Sequence, residues 1–259
     1  MYGVNKGNWK RNVSFIDDVE RKSKEVFYNF SDDVKEDGEV LWSNNKELSK
    51  YKGSKVIIFG GGPSSKHYLT HQFIPSGMYV WTMNHFFTNK FLMNAQPDLI
   101  TLNPESWSAQ PIFPHTPLIG LELHHYWAND SSTDALHAVN NWYNNKYKFT
   151  FSTKYYSQLG AGARLCLLAA ALEVKKVYFI GFDGPKALLN KEHSFIPSEK
   201  MEKRFPTALA GLNDGQVISR MKQQWKEFWL YIHKEYNTEF KSLQKDNDNH
   251  KIVRELWKE

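Results

Sequence analysis

Three short stretches and two separate asparagines of this chain carry residue types that can do chemistry. Gly60-Gly61-Gly62-Pro63-Ser64-Ser65 follows an apolar run and precedes a segment of helical pattern. Small residues there let an anion approach the backbone, and a helix N-terminus offers free N–H groups and a positive dipole end. The stretch lacks the Gly-Lys-Ser/Thr of a P-loop, and Ser65 stands where G-x-G-x-x-G needs its third glycine. Its structural reading is a tight strand–helix turn with Ser64 as N-cap. Gly160-Ala161-Gly162-Ala163 opens an apolar helix and is a second phosphate cradle or a close helix–sheet contact. Asp183, in Gly-Phe-Asp-Gly-Pro, ends a strand; its carboxylate suits a ribose hydroxyl, a base amino group or the turn at Gly184-Pro185. Asn84 and Asn103 also stand at strand ends.

Other constellations read as structural. Asp246-Asn-Asp248 spells a D-x-D within a polar, solvated stretch. His67 and His71 lie four apart without the adjoining Glu of a zinc protease, as surface histidines do. His124-His125 follows a strand without evident partner ligands. The Gln216–Tyr236 segment spaces Trp225, Phe228, Trp229 and Ile232 as a core-facing helical stripe, with lysines on its solvated side. No metal site and no cofactor is expected.

The elements that must position these residues alternate. Val56–Phe59, Met78–Thr82, Asp98–Leu102, Pro117–Leu121, Lys176–Ile180 and Thr238–Leu243 read as strands, with Phe149–Phe151 a short one. Helices are expected over Ser65–Thr70, Thr133–Tyr143, Gly160–Glu173, Gln216–Tyr236 and Lys251–Lys258. Strands alternating with helices predict an α/β, Rossmann-like fold, its mainly parallel sheet covered by helices on both faces. Ligands bind such sheets at the carboxyl ends of strands. Residues 1–50 are polar with scattered aromatics and are expected to be a helical extension or arm; residues 51–259 are expected to form the main Rossmann-like domain.

Composition bounds the classes. The chain has 259 residues, 41% apolar and 15% aromatic, enough for a sizeable core. Leu165–Leu172 is its longest apolar run, short of a membrane span, and the N-terminus has no signal-type apolar region. A single cysteine, Cys166, excludes a disulfide framework and favours a reducing, cytoplasmic home. The net charge of +5 is mild, concentrates over residues 174–204, and suits a phosphate-bearing ligand.

Lys55-Val-Ile-Ile-Phe-Gly-Gly-Gly-Pro-Ser-Ser-Lys66 resembles the opening of glycosyltransferase family 42, the bacterial sialyltransferases, where a strand leads into Gly-Asn-Gly-Pro-Ser-Leu-Lys. Thr82-Met-Asn84-His-Phe-Phe resembles that family's Cys-Asn-Gln-Phe segment, and Asn103-Pro104-Glu-Ser106 its Asn-Pro-Ser. Gly160 through Asp183 resembles its Ser-Gly-bearing helix and the strand that ends Gly-Ile-Asp. The wider group includes 6-hydroxymethylpterin diphosphokinase-like and motility-accessory proteins, which share the first turn and the later Asp strand.

The resemblance implies an inverting, metal-independent transferase moving a sugar from a nucleotide-sugar donor, a CMP-sugar, to a hydroxyl of a glycan or another acceptor. It places Gly60, Gly61, Gly62, Pro63, Ser64, Asn84 and Asn103 against nucleotide and sugar. Ala161 and Gly162 would lie under the phosphate or ribose, and Asp183 at the ribose or base. The family's paired tyrosines after the Asp strand have no counterpart in Gly184–His193, so Lys186, Lys191 or His193 is expected to supply the charge facing the leaving phosphate. No histidine stands near Ser219-Arg220, where the family's catalytic one falls, so His193 or Asp214 is the expected base. The competing readings are ATP-dependent pyrophosphoryl transfer to a pterin, and a non-catalytic nucleotide-binding protein. Nucleic acid is a further acceptor class. The sequence does not specify the oligomeric state.

Overall fold

The structure is a computed structural model and describes residues 3–4, 34–37, 40–43, 46–72, 74–84, 95–102, 118–122, 149–153, 155–156, 159–190, 194, 213–244 and 247–258. In chain order the strands are β1 (Gly3–Val4), β2 (Val34–Asp37), β3 (Val40–Ser43), β4 (Lys55–Phe59), β5 (Tyr79–Met83), β6 (Leu99–Leu102), β7 (Leu118–Glu122), β8 (Phe149–Thr153), β9 (Tyr155–Tyr156), β10 (Lys176–Ile180) and β11 (Glu239–Ser242). The helices are α1 (Pro63–His71), α2 (Ala161–Ala171), α3 (Pro185–Leu189), α4 (Asp214–Glu235) and α5 (Asp248–Trp257).

Nine strands form one sheet in the order β11-β10-β4-β5-β6-β7-β8-β3-β2. Every adjacent pair from β11 to β8 is parallel. The β2–β3 hairpin adds an antiparallel edge, with Trp42 opposite Phe151. A separate two-stranded ladder joins β1 to β9. The fold is therefore α/β and Rossmann-like.

Burial of both sheet faces explains the strand sequences. Val56, Ile57, Ile58 and Phe59 are all fully buried, because alternate side chains enter two different cores. Val56 and Ile58 join one cluster with Trp81, Val177 and Phe179, packed against α2, α4 and α5. Ile57 and Phe59 join the other with Ile100, Leu102 and Ile180, where Tyr68 of α1 packs. The handedness of parallel crossovers dictates this split. The β4-to-β5 connection travels one way across the sheet and lays α1 on one face. The β10-to-β11 connection travels the other way and lays α4 on the opposite face. On α4, Trp225 and Trp229 stack at 5.8 Å between ring centroids, and Trp229 also stacks on Phe179.

The expectation of helices over residues 1–50 differs from the described part of that segment. Residues 34–37 and 40–43 are strands of the main sheet, and Lys46–Tyr51 is a 3-10 helix. Leu48 and Tyr51 within it are fully buried in the larger core, with Tyr51 edge-on to Tyr79 and Trp81. The expected helix over 133–143 lies outside the described residues.

Candidate functional site

The strand order reverses between β4 and β10. From β4 the chain steps outward through β5, β6, β7 and β8, then returns to place β10 on the other flank of β4. In such a sheet the crevice outside the carboxyl ends of these two strands is the ligand position. The turns leaving them are Gly60–Ser64 and Gly181–Asp183.

These turns are knitted together. Gly60 N–H donates to Ile180 O at 2.7 Å and Gly62 N–H to Gly181 O at 2.8 Å, which extends the pairing past both strands. Gly181 N–H donates to Ser64 Oγ at 3.0 Å. The Ser64 hydroxyl lies 2.9 Å from Asp183 Oδ2, and Ser64 N–H donates to the same oxygen at 3.3 Å. Gln244, just after β11, donates through Nε2 to Asp183 Oδ1, and its Oε1 lies 3.1 Å from Ser64 Oγ. Ser65 is fully buried and donates to Gly60 O at 2.8 Å. Ser194 donates N–H to Gly61 O and its hydroxyl to Gly62 O, strapping the turn from the far side.

The close approach requires glycine. A Cβ on Gly60 would sit 2.6 Å from Gly181 O, and one on Gly62 would sit 1.7 Å from Asp183 Oδ2. Gly181 has φ +83°, a left-handed value that glycine adopts without strain. Turn-to-turn packing thus accounts for these three glycines without any ligand.

Asp183 is half-buried, and burial raises its carboxyl above the ordinary aspartate range. Hydrogen bonds from Ser64 and Gln244 favour the charged form and oppose that rise without cancelling it. The carboxylate also meets the second amide of α1, whose N-cap, Gly62, supplies no side-chain acceptor. Ser64 is therefore not the N-cap; Pro63 takes the first helical position and the Ser64 hydroxyl turns to the β10 turn.

Helix α2 begins at Gly160, whose φ of 80° and ψ of −176° fall in a region open essentially to glycine alone. Its N-cap likewise has no side-chain hydrogen bond. A Cβ on Gly162 would sit 2.8 Å from the Phe182 ring, so the first turn of α2 meets the β10 turn at Gly162. Asn247 and Asn249 both donate to Phe182 O, holding the turn against α5. Asn84 ends β5, beside β4, with φ 52°, an uncommon value for a residue with a side chain.

The expected site residues fall into three groups. Gly60, Gly62, Ser64, Asp183, Ala161 and Gly162 come together around the β4 and β10 turns, with Asn84 at the adjoining strand end. Asp214 lies exposed in the first turn of α4, inside the Asn213–Gln216 capping box. The 22 residues of α4 span about 33 Å, far more than four-residue β11, so its first turn extends past the carboxyl edge of the sheet. Asn103, Lys191 and His193 lie outside the described residues, as do His124, His125 and Asp246. Lys186 is described only as a backbone position of α3.

Asp248 starts α5 and pairs with Lys222 at 3.0 Å, a helix-terminal role. Among the described residues no group of three or more His, Cys, Asp or Glu is placed to hold a metal. No described helix is long and apolar enough to cross a membrane. The sequence reading missed Gln244, Ser194 and the pair Asn247–Asn249. Gln244 follows β11, so the strand-end rule that singled out Asp183 reaches it when applied to the last strand.

The fold is that of a doubly wound α/β protein, with two interlocked glycine turns at the carboxyl edge of its sheet. Solved structures with some similarity to this chain include three of sialyltransferases. The apo α-2,3-sialyltransferase from Campylobacter jejuni is 18% identical over 80% of each chain, with a TM-score of 0.47. The sialyltransferase CstII from the same organism, in complex with a substrate analogue, cytidine-5′-monophosphate, is 17% identical over 76% of this chain and 82% of that one, with a TM-score of 0.47. CstII with a trisaccharide acceptor and CMP is 17% identical over 74% and 82%, with a TM-score of 0.43. No family model matches the chain, and no curated protein matches it.

Proposed function

We propose that this protein is a glycosyltransferase that moves a sugar from a CMP-sugar donor to an acceptor hydroxyl, with inversion and without a metal. The observation that carries this reading is the convergence at the β4–β10 reversal. The motifs that resemble a nucleotide-sugar transferase lie far apart in sequence, yet Gly60–Ser64, Ala161-Gly162 and Asp183 gather there, with Asn84 at the next strand end.

The nucleotide lies along this edge. The uncapped first turn of α2 faces its phosphate, because free amides and the helix dipole favour an anion there. Asp183, held by Ser64 and Gln244, keeps spare lone pairs for a ribose hydroxyl or base amine. Asn84 and Asn103 orient the sugar. His193 or Asp214 takes the proton from the acceptor hydroxyl as its oxygen attacks the anomeric carbon. The glycosidic bond to the phosphate breaks as the new one forms, and Lys186 and Lys191 face the charge left on the nucleotide.

A melting-temperature panel with CMP, UMP, UDP, GDP and ATP, each with and without Mg²⁺, tests the reading. A ligand that binds only the folded state raises the midpoint. Stabilisation by CMP without Mg²⁺, followed by sugar transfer from a CMP-sugar, is the expected result. Stabilisation only by ATP with Mg²⁺ would overturn it in favour of pyrophosphoryl transfer. Binding of CMP with no hydrolysis or transfer of any CMP-sugar would leave a nucleotide-binding protein.

A further inference from the structure

We propose that His67 and His71 form a two-imidazole site for a divalent transition metal of the zinc and copper class, on the exposed face of α1. The inference rests on α1 alone and is independent of the proposed transferase reaction. Residues four apart on a helix stand one above the other on the same face. Here the two rings lie 4.4 Å apart between centroids, with their planes 35° apart. Both residues are exposed, so a hydrated ion reaches them without any rearrangement of the core.

The tautomer of one ring is already set. His71 Nδ1–H donates to His67 O at 2.9 Å. A backbone carbonyl on one ring nitrogen is the usual partner of a metal-ligating histidine, and it leaves the other nitrogen's lone pair for the ion. With about 2.0–2.1 Å from metal to each nitrogen, two imidazoles at a right-angled to tetrahedral bite hold their centroids about 4.5–5.2 Å apart. The observed 4.4 Å lies just below that range, so the two rings must part slightly to close on an ion.

Imidazole donors select Zn²⁺, Cu²⁺ or Ni²⁺ over Mg²⁺ and Ca²⁺, which prefer oxygen. Water supplies the remaining ligands, since no third His, Cys, Asp or Glu among the described residues joins the pair. Such a site is labile, unlike a four-ligand structural zinc site. It clips the last turn of α1, the helix whose first turn holds Asp183 through Ser64.

The test titrates the full chain with Zn²⁺ and with Cu²⁺, comparing wild type, His67→Ala and His71→Ala by calorimetry. Cu²⁺ broadening of labelled imidazole signals locates the ion. The chain has 10 histidines, so events elsewhere form a background common to all three proteins. We expect one wild-type event that weakens at least tenfold in each single variant, joint broadening of the His67 and His71 signals, and no such event with Mg²⁺. Three results would overturn the proposal: superimposable isotherms for the variants, a reduced stoichiometry at unchanged affinity, or broadening that spares His67 and His71. The mutated side chains are exposed, and unchanged circular dichroism confirms that each variant folds.

Discussion

Ser64 gives both its backbone N–H and its hydroxyl to one oxygen of Asp183, at 3.3 and 2.9 Å, across 119 residues of sequence. The same hydroxyl oxygen accepts from Gly181 N–H. One serine thus ties the start of α1 to two points of the β10 turn.

Ser64→Ala removes the donor to Asp183 and the acceptor of Gly181 N–H together. The expected loss is about 1–3 kcal/mol of unfolding free energy, the cost of leaving part-buried polar groups unpaired. Asp183→Asn keeps an acceptor for Ser64 and should cost less. The two changes share one interaction, so the double variant should be less destabilised than the sum of the singles by at least about 0.5 kcal/mol. Urea unfolding of the four proteins measures the cycle; strict additivity would show that the Ser64 hydroxyl gains nothing from the charge of Asp183 over a neutral amide acceptor.

The raised Asp183 carboxyl has a signed consequence for stability. The unfolded chain loses this proton near the ordinary aspartate value of about 3.9, while the folded chain holds it to higher pH. Between those two values the folded state binds more protons. This contribution is therefore full below the unfolded pKa and is lost as pH rises through the folded one. Wild type should gain stability relative to Asp183→Asn as the pH falls from 7 toward 4. Unfolding free energies of both proteins across that range check it, and a difference that widens in the opposite direction would contradict the burial of the carboxyl.

Gly62→Ala places a methyl 1.7 Å from Asp183 Oδ2. The carboxylate must move, breaking its bonds to Ser64 and Gln244, and overpacking of this kind costs about 1–3 kcal/mol before those bonds are counted. Gly77→Ala is the matched control: its φ is +79°, yet nothing lies within 4 Å of the new Cβ. It should cost only the left-handed backbone strain, about 1–2 kcal/mol. Gly62→Ala should also lose nucleotide binding, whereas Gly77→Ala should retain it. Equal effects of the two on a CMP-induced melting shift would contradict a role for the turn packing.

Asn84 combines a left-handed backbone with a carboxamide just past the end of β5. Asn84→Gly keeps the backbone freely and removes the amide; Asn84→Ala removes the amide and adds strain. Under the proposed function both should abolish the CMP-induced melting shift, while Asn84→Ala should lower the melting temperature of the free protein more than Asn84→Gly does. A CMP shift that survives in Asn84→Gly would remove Asn84 from the site.

Much of the architecture was legible because buried parallel strands announce themselves. Val56–Phe59 and Lys176–Ile180 are apolar runs bounded by glycine, and they became β4 and β10. The β2–β3 hairpin was not read, although Asp37-Gly38 sits between Val34 and Val40 and is a hairpin cue. Its charged residues, Lys35, Glu36 and Asp37, masked the pattern, as edge strands often do. At the site, strand-end logic found Ser64 and Asp183 individually but not their bond. A hydroxyl facing a carboxylate 119 residues away leaves no periodic trace. In the sequence the glycines suit a phosphate cradle and a tight strand–helix turn alike; in the structure Gly60 and Gly62 make room for the β10 turn.

The position of β10 beside β4 also sets an order of events during synthesis. Strand β4 can pair with β5 as soon as both have emerged, but its other edge waits for residues 176–180. At roughly 5–20 residues per second, the 119 residues separating Ser64 from Asp183 represent about 6–24 seconds of translation. During that interval one side of the most apolar strand offers open N–H and C=O groups to any neighbouring chain. Gln244 arrives still later, 180 residues after Ser64, so a nascent chain carries the glycine turn long before it carries the groups that close it. Slowed elongation between β5 and β10 should therefore raise co-translational aggregation more than an equal delay after β11.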